Sequence, residues 1–433
     1  MNTVHFGTFN AERFWRPPDL AELPAVRTGG DAVVATMDEL LVAGCASGDL
    51  LITRRPLSPA VQQCLAEAEI HFDHRSAANV ESPGNRGSVE GHPVERLLLG
   101  DRTLAAHTAG CDQVRPYAVL PDTVSLLTHW GRPRQVPSSD VVTRVNTKTW
   151  SNTLLQKLGL PGCARVVRSV DELPSAVRDC GPTVVVKDPY GVSGRGTIRI
   201  SSPGVLRAIQ RVLRRQEAEG RRIELLVQPE FSKRCDFSGH LRLDRDGTAR
   251  FLGVQVMVNH GFRHVGSGPA GPELLSLLDR HGYRDVLAEV GTALAAEGYW
   301  GPVGVDSMLL DNNTLLPVLE INARSSLGLL TLLAGRRAAH TGLACHLWQL
   351  GLTVGSGRGV EDVVAALRKA QVLYRGGTRS GVLVLGGSSL SEPDGRMYGL
   401  SYCVPGDAPL WQGRVVAAVR AAGMRPRYAG HAA

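Results

Sequence analysis

The chain has 433 residues, 43% hydrophobic and 21% charged, which suits two or three packed soluble domains better than one core. No apolar run approaches the roughly 20 residues of a membrane span, and the start MNTVHFGTFNAERFW lacks the basic-then-apolar order of a secretory signal. The net charge of +7 invites nucleic acid, but the arginines are dispersed and aromatics are only 5%, so phosphates, carboxylates or an acidic protein are the expected partners, and neither nucleic acid nor membrane is.

Residues 1–140 mix short apolar runs, LLIT (50–53) and RLLLG (96–100), with one helix pattern, PAVQQCLAEAEI (59–70), as an open α/β domain does. Eight cysteines stand singly without a CxxC pair, which argues against zinc and disulfides and for a reducing cytoplasm. GRPRQVPSSD (131–140) is a fair boundary. In RVNTKTWSNTLLQKLGLPG (144–162), Asn146 or Thr147 caps a helix that runs to Leu158, Gly159 suits a left-handed turn, and Pro161 prevents continuation. Strands and turns dominate from 183 to 328, with helical patterns at 203–219 and about 282–297. The stretch after Gly328, LLTLLAGRRAAHTGLACHLWQLG, is expected to be buried and helical. From about 360 a small terminal unit carries the helix EDVVAALRKAQ and the strand GVLVLGG.

Three stretches carry candidate chemistry. In PTVVVKDPYGVSGRGTIRI (182–200), an apolar strand ends on Lys187, and Gly191, Ser193, Gly194 and Gly196 punctuate the loop to a second strand. Strand–loop–strand is neither a Walker loop nor a dinucleotide fingerprint, both of which open a helix. Such a hairpin either folds its bare backbone over phosphates, with Lys187 adding a charge, or is a plain turn. In IELLVQPEF (223–231), the strand breaks at Gln228–Pro229–Glu230. That is either an adenine-reading strand end with an acid for the ribose or an edge strand stopped by proline.

The third is GPVGVDSMLLDNNTLLPVLEINARSSLG (301–328), two apolar strands about a run of turn formers. A hairpin folded about Asn313 sets Asp306 opposite Glu320, and alternation puts Glu320, Asn322 and Arg324 on one side. Asp306, Glu320 and Asn322 are then three hard oxygen donors of the kind Mg²⁺ prefers. Uncompensated, three buried polar groups would be costly, and Arg324 would meet charge on a transferred phosphoryl group.

Taken in order, these pieces, with Lys148 on the capped helix, resemble the ATP-grasp carboxylate–amine ligases over about 141–350. FLGVQVMVNHGFRHVGSGPAG (251–271) and EINARSSLG look closest to the pheganomycin-type peptide ligases of actinobacterial natural-product pathways. The resemblance implies an α/β (α+β) ATP-grasp fold: an N-terminal open α/β domain (1–140), an ATP-grasp domain (141–355, subdomains about 141–226 and 227–355) and a small C-terminal domain (356–433). It implies ATP and Mg²⁺, an acylphosphate formed on an amino-acid-like carboxylate, and an amide formed with an amine or peptide as ADP and phosphate are released. Lys148 and Lys187 would hold the α- and β-phosphates, the flap 191–196 would cover the γ-phosphate, and Arg324 would steady the acylphosphate. Gln228 and Glu230 would hold the nucleoside, and His264, Gly266, Ser267, Gln255 and Arg242 would face the substrate, although His264 and Arg242 equally suit a solvated surface. Two other readings stay open: loading of an amino acid onto an acidic acyl carrier protein, and a nucleotide-binding regulator without catalysis. A homodimer is compatible with all three.

Overall fold

The computed structural model describes residues 1–24, 31–77, 91–101, 103–191, 194, 196–377, 379–392 and 394–429. The N-terminal part is a parallel sheet, in the order β3-β2-β1-β4, of β1 (Thr3–Phe6), β2 (Leu50–Thr53), β3 (Asp73–Ser76) and β4 (Gln113–Pro116). Every residue of β1 and β2 is buried, the pattern of a parallel sheet covered on both faces. From the end of β1 the chain passes into the short helix α1 (Ala11–Trp15), anchored to this domain by Trp15 Nε1, which donates to Val119 O at 2.9 Å.

A small antiparallel sheet follows, in the order β5-β8-β6-β7: β5 (Arg165–Val167), β6 (Val184–Lys187), β7 (Thr197–Ile200) and β8 (Leu225–Pro229). It has its own core, in which Val184, Val186, Ile200 and Val227 meet Ile209 and Leu213 of the amphipathic helix Pro203–Ala218.

The remaining strands build one nine-stranded sheet, ordered β13-β12-β9-β10-β11-β14-β16-β15 with β17 on β14. They are β9 (Lys233–Leu243), β10 (Ala249–His260), β11 (Arg263–Pro269), β12 (Gly301–Leu310), β13 (Leu315–Asn322), β14 (Ala344–Thr353), β15 (Gly381–Gly386), β16 (Arg396–Cys403) and β17 (Arg425–Ala429). The C-terminal strands thus extend the central sheet, joined through β14 on β11. One sheet face packs on the helix Tyr283–Ala296; the other packs on α3 (Leu327–Arg337). A side chain at Gly328 would collide with His240 and Ser238, so the bare backbone lets α3 lie close on that second face.

The buried helical region expected after Gly328 is corrected here. Helix α3 stops at Arg337, and Ala344–Thr353 is strand β14. Both lie in the core, so each reads as an unbroken apolar run, and periodicity alone does not separate a buried helix from a strand buried on both faces.

Candidate active site

The hairpin β12–β13 sets Asp306 and Glu320 as cross-strand partners, with Gly304 opposite Asn322. The mechanism is less direct than symmetry about Asn313. Near the turn the pairs are Leu309–Leu315 and Met308–Leu316, which centre on Asn312, and a bulge before Asp306 shifts the register to reach Glu320. Pro317 sits in that bulge, where a residue without an N–H belongs. Ser307 Oγ pins it, donating to Pro317 O at 2.7 Å while lying 2.7 Å from the Tyr283 hydroxyl.

The register carries across four strands. Glu320, Asp306, Ser238 and Gln255 are successive cross-strand partners on β13, β12, β9 and β10, so their side chains share one face. Asn322 Nδ2 donates to Asp306 Oδ2 at 3.1 Å. Burial, and then the like charge of Glu320, push the Asp306 carboxyl up to about 7.

Two lysines answer this acidity. Lys148 opens the helix α2 (Lys148–Lys157), whose cap is Thr147, Oγ1 accepting from Trp150 N at 3.1 Å. Its ammonium is 2.8 Å from Glu320 Oε1 and also donates to the carbonyl of Gly191 at the flap base. Lys187 closes β6, where burial pushes its ammonium down to about 8; Glu320 and Asp306 pull the other way, and Lys148 adds to the fall. These residues, contributed by three separate segments of chain, form one electrostatic group.

Two acids in register with an amide beside them, Asp306 raised in pKa and the pair faced by cations, fit a divalent ion better than a dry core. Among the described residues no three His, Cys, Asp or Glu side chains form a ready-made cage. A magnesium ion that keeps phosphate oxygens in its shell needs only this smaller set.

Arg324 departs from expectation. Strand β13 ends at Asn322, and Arg324 N donates back to Asn322 O at 2.9 Å, a tight reversal that takes Arg324 out of the file of Glu320 and Asn322. Asn146 fixes the corner by accepting from Ala323 N and donating to Ala323 O. The guanidinium instead pairs with Glu12 of α1, Nη2 to Oε1 at 2.5 Å, and Nη1 lies 3.3 Å from the Tyr117 hydroxyl.

The other candidates scatter. Ser193, with Val192 and Arg195, lies outside the described residues. Gly194 (φ 78°) rests against the backbone of Phe262, at the tip of the β10–β11 hairpin, and Gly196 O accepts from Asp188 N at 2.7 Å. Gln228 is buried opposite Val185, and Glu230 pairs with Arg199 at 2.6 Å. Gln255 is buried with Oε1 unpartnered. Gly266 packs against the backbone of β14, Ser267 Oγ meets Thr331 Oγ1 at 3.3 Å, and burial pushes the His264 imidazole down to about 4. Arg242 lies toward Asp244, 3.8 Å away.

Sequence reasoning missed Asp236, which accepts from Asn259 Nδ2 at 2.6 Å and pairs with Lys233, and Asp188, which pairs with Arg16 at 2.7 Å. It also missed Glu12. Asp188 directly follows Lys187 and was legible as a buried acid after a strand; Glu12 carried no such signal.

No family model matches the chain. A 143-residue stretch is 28% identical to the "[Butirosin acyl-carrier protein]--L-glutamate ligase" of Niallia circulans, covering 32% of each chain, so the match spans about a third of that relative. Among solved structures, N5-carboxyaminoimidazole synthetase from Staphylococcus aureus, complexed with ADP, superposes with a TM-score of 0.54 at 11% identity, over 97% of this chain and 98% of that one. The fold is the ATP-grasp fold. The biotin carboxylase domain of Hydrogenobacter thermophilus 2-oxoglutarate carboxylase, a dimer with MgADP and bicarbonate, agrees at a TM-score of 0.54 and 11% identity, over 99% of this chain and 91% of that domain. At these identities the likeness establishes the fold alone.

Proposed function

We propose that the chain is an ATP-dependent ligase that joins an amino-acid-like carboxylate to an amine or peptide. One observation carries the reading: the in-register pair Asp306–Glu320, faced by Lys148, which also holds the Gly191 carbonyl, and by Lys187. The solved structures of similar fold that hold MgADP and ADP support the nucleotide and the metal. Lys148 and Lys187 would neutralise phosphate oxygens, and Asp306, Glu320 and the Asn322 amide oxygen would hold Mg²⁺, which when bound would supply charge neutralisation at the transferred phosphoryl group. A carboxylate oxygen attacks the γ-phosphorus, the bond to the β-phosphate oxygen breaks and ADP leaves. The amine then attacks the acyl carbon, loses a proton, and expels phosphate.

Purified protein with Mg-ATP and a matrix of amino acids and short peptides is expected to release ADP and phosphate with one pairing, and mass measurement identifies the amide. AMP and pyrophosphate instead would refute the mechanism. The similar stretch of the butirosin acyl-carrier protein–L-glutamate ligase favours a second reading in which the acceptor is carrier-bound. The excess of basic residues suits it, since carrier proteins are acidic. Turnover with a carrier and none with free amines, steeply inhibited by salt, would select it over the free-peptide reading closest to the pheganomycin type.

A further inference from the structure

Helix α1 lies in the N-terminal part of the chain, yet its side chains end in the site. Glu12 Oε1 takes both Nε (2.8 Å) and Nη2 (2.5 Å) of Arg324, and Arg16, just beyond the helix, holds Asp188 at the base of the flap. Glu12 and Arg324 are each 7% exposed in their side chains, so this pair is desolvated rather than a surface contact. The tight reversal at Ala323 leaves Arg324 two residues from Asn322, and its charge is felt at both Asp306 and Glu320. The guanidinium therefore has two sets of carboxylates within its influence: Glu12 on one side, and the cross-strand pair on the other. Its remaining contacts, Ser325 O at 3.0 Å and the Tyr117 hydroxyl, are neutral and do not decide between them.

We propose that Glu12 is a positioning residue: it holds Arg324 away from Glu320 and Asp306, so that a guanidinium does not join the Lys148 ammonium in competing with a divalent cation for that pair. A guanidinium turned onto Glu320 would fill the place of the ion with a fork of N–H donors that matches a carboxylate well. Glu12 prevents this by offering a nearer, fully charged acceptor in a dry interface. The N-terminal domain thereby acts on the metal ligands through one side chain without touching them. The inference rests on Asp306 and Glu320 being the cation ligands.

The test measures Mn²⁺ binding to the full chain, without nucleotide, by loss of the free-ion paramagnetic resonance signal. Wild type is expected to bind, and D306N to lose binding. E12Q keeps an acceptor oxygen of the same length, so it is expected to fold while weakening Mn²⁺ about tenfold, the size of one charge contact in a partly buried site. In the R324Q background, E12Q is expected to change Mn²⁺ affinity less than twofold, because its effect runs through Arg324. An unchanged affinity in E12Q, or a loss that persists with R324Q, overturns the inference while leaving the ligand assignment standing. A wild type that binds no Mn²⁺ overturns both.

Discussion

Two pairs of neighbouring acids among the described residues are built for opposite ends. Asp306 and Glu320 meet across the β12–β13 ladder; Asp38 and Glu39 are neighbours in the 3-10 helix Met37–Gly44 of the N-terminal part. Burial pushes Asp306 up to about 7, Asp38 to about 6 and Glu39 to about 7, and in Asp306 and Glu39 the acid beside each adds to the rise. Raised carboxyl pKa values therefore do not distinguish a site from a joint. The partners do. Glu39 accepts from the backbone of Gly387 at 2.9 Å, which ties the first domain to the C-terminal part, and Asp38 accepts from the backbone of Arg54 within the first domain, so both are spent on holding backbone. Asp306 and Glu320 instead face two lysines and an amide, all of them side chains.

If that contrast is right, catalysis tracks one pair and stability the other. D306N is expected to lower the rate of ADP release roughly 10²–10³-fold, followed in a coupled assay, with little change in melting temperature. The pH dependence has a definite sign. Asp306 binds a cation only when ionised, so wild-type Mn²⁺ affinity is expected to fall as pH drops below about 7, and the D306N protein to lose that limb. K187M comes next. Removing a charged donor to phosphate is expected to raise the KM for ATP about 10–100-fold, with nucleotide binding by calorimetry weakened in parallel. If K187M shifts only the acceptor KM, the lysine belongs to the substrate side and the grouping with Lys148 fails.

How much of this was legible beforehand differs by element. The order of strand, glycine loop, proline-broken strand and acid-bearing hairpin is local, so turn formers and alternation expose it without tertiary knowledge. The pairing of Asp306 with Glu320 followed from counting outward from Asn313, although the fold reaches it through a turn at Asn312 and a compensating bulge. What could not be counted is where the chain leaves regular geometry. Arg324 continues an alternating pattern on paper, yet the reversal at Ala323 breaks the strand one residue earlier. Glu12 lies more than 300 positions from its partner, in a short helix with no motif. Long-range ion pairs and strands buried on both faces leave no periodic trace.

The second acid pair supplies the stability half of the contrast. Glu39 has an ordinary value of 4.5 and is held near 7 in the folded chain, so the native state keeps a proton that the unfolded chain has released between those values. Stability is therefore expected to fall as pH climbs from about 4.5 to about 7 and to stay low above it. E39Q retains an acceptor oxygen for Gly387 N and carries no charge. It is expected to raise stability at pH 8 by about 1–3 kcal/mol and to flatten the slope in urea titrations from pH 5 to pH 8. The rate of ADP release should not change. An E39Q protein as impaired as D306N would erase the distinction between joint and site.

The smallest effect tests whether register, rather than composition, makes the acidic pair. Ser307 Oγ spends its one proton on Pro317 O, so the Tyr283 hydroxyl must donate to it, and the two bonds clamp the bulge that brings Glu320 opposite Asp306. S307A removes both bonds without touching a charged group and takes this partner from the buried Tyr283 hydroxyl and from the Pro317 carbonyl. That is expected to destabilise the chain by about 1–3 kcal/mol. A slackened bulge lets Glu320 drift relative to Asp306, so Mn²⁺ affinity should fall about twofold to fivefold, the share expected of a modest loss of preorganisation. Y283F leaves the Ser307–Pro317 bond in place and should reproduce part of the stability loss with unchanged Mn²⁺ affinity. Should both variants weaken Mn²⁺ equally, the clamp acts through general packing of the helix Tyr283–Ala296, and the bulge is not what sets the geometry of the ligands.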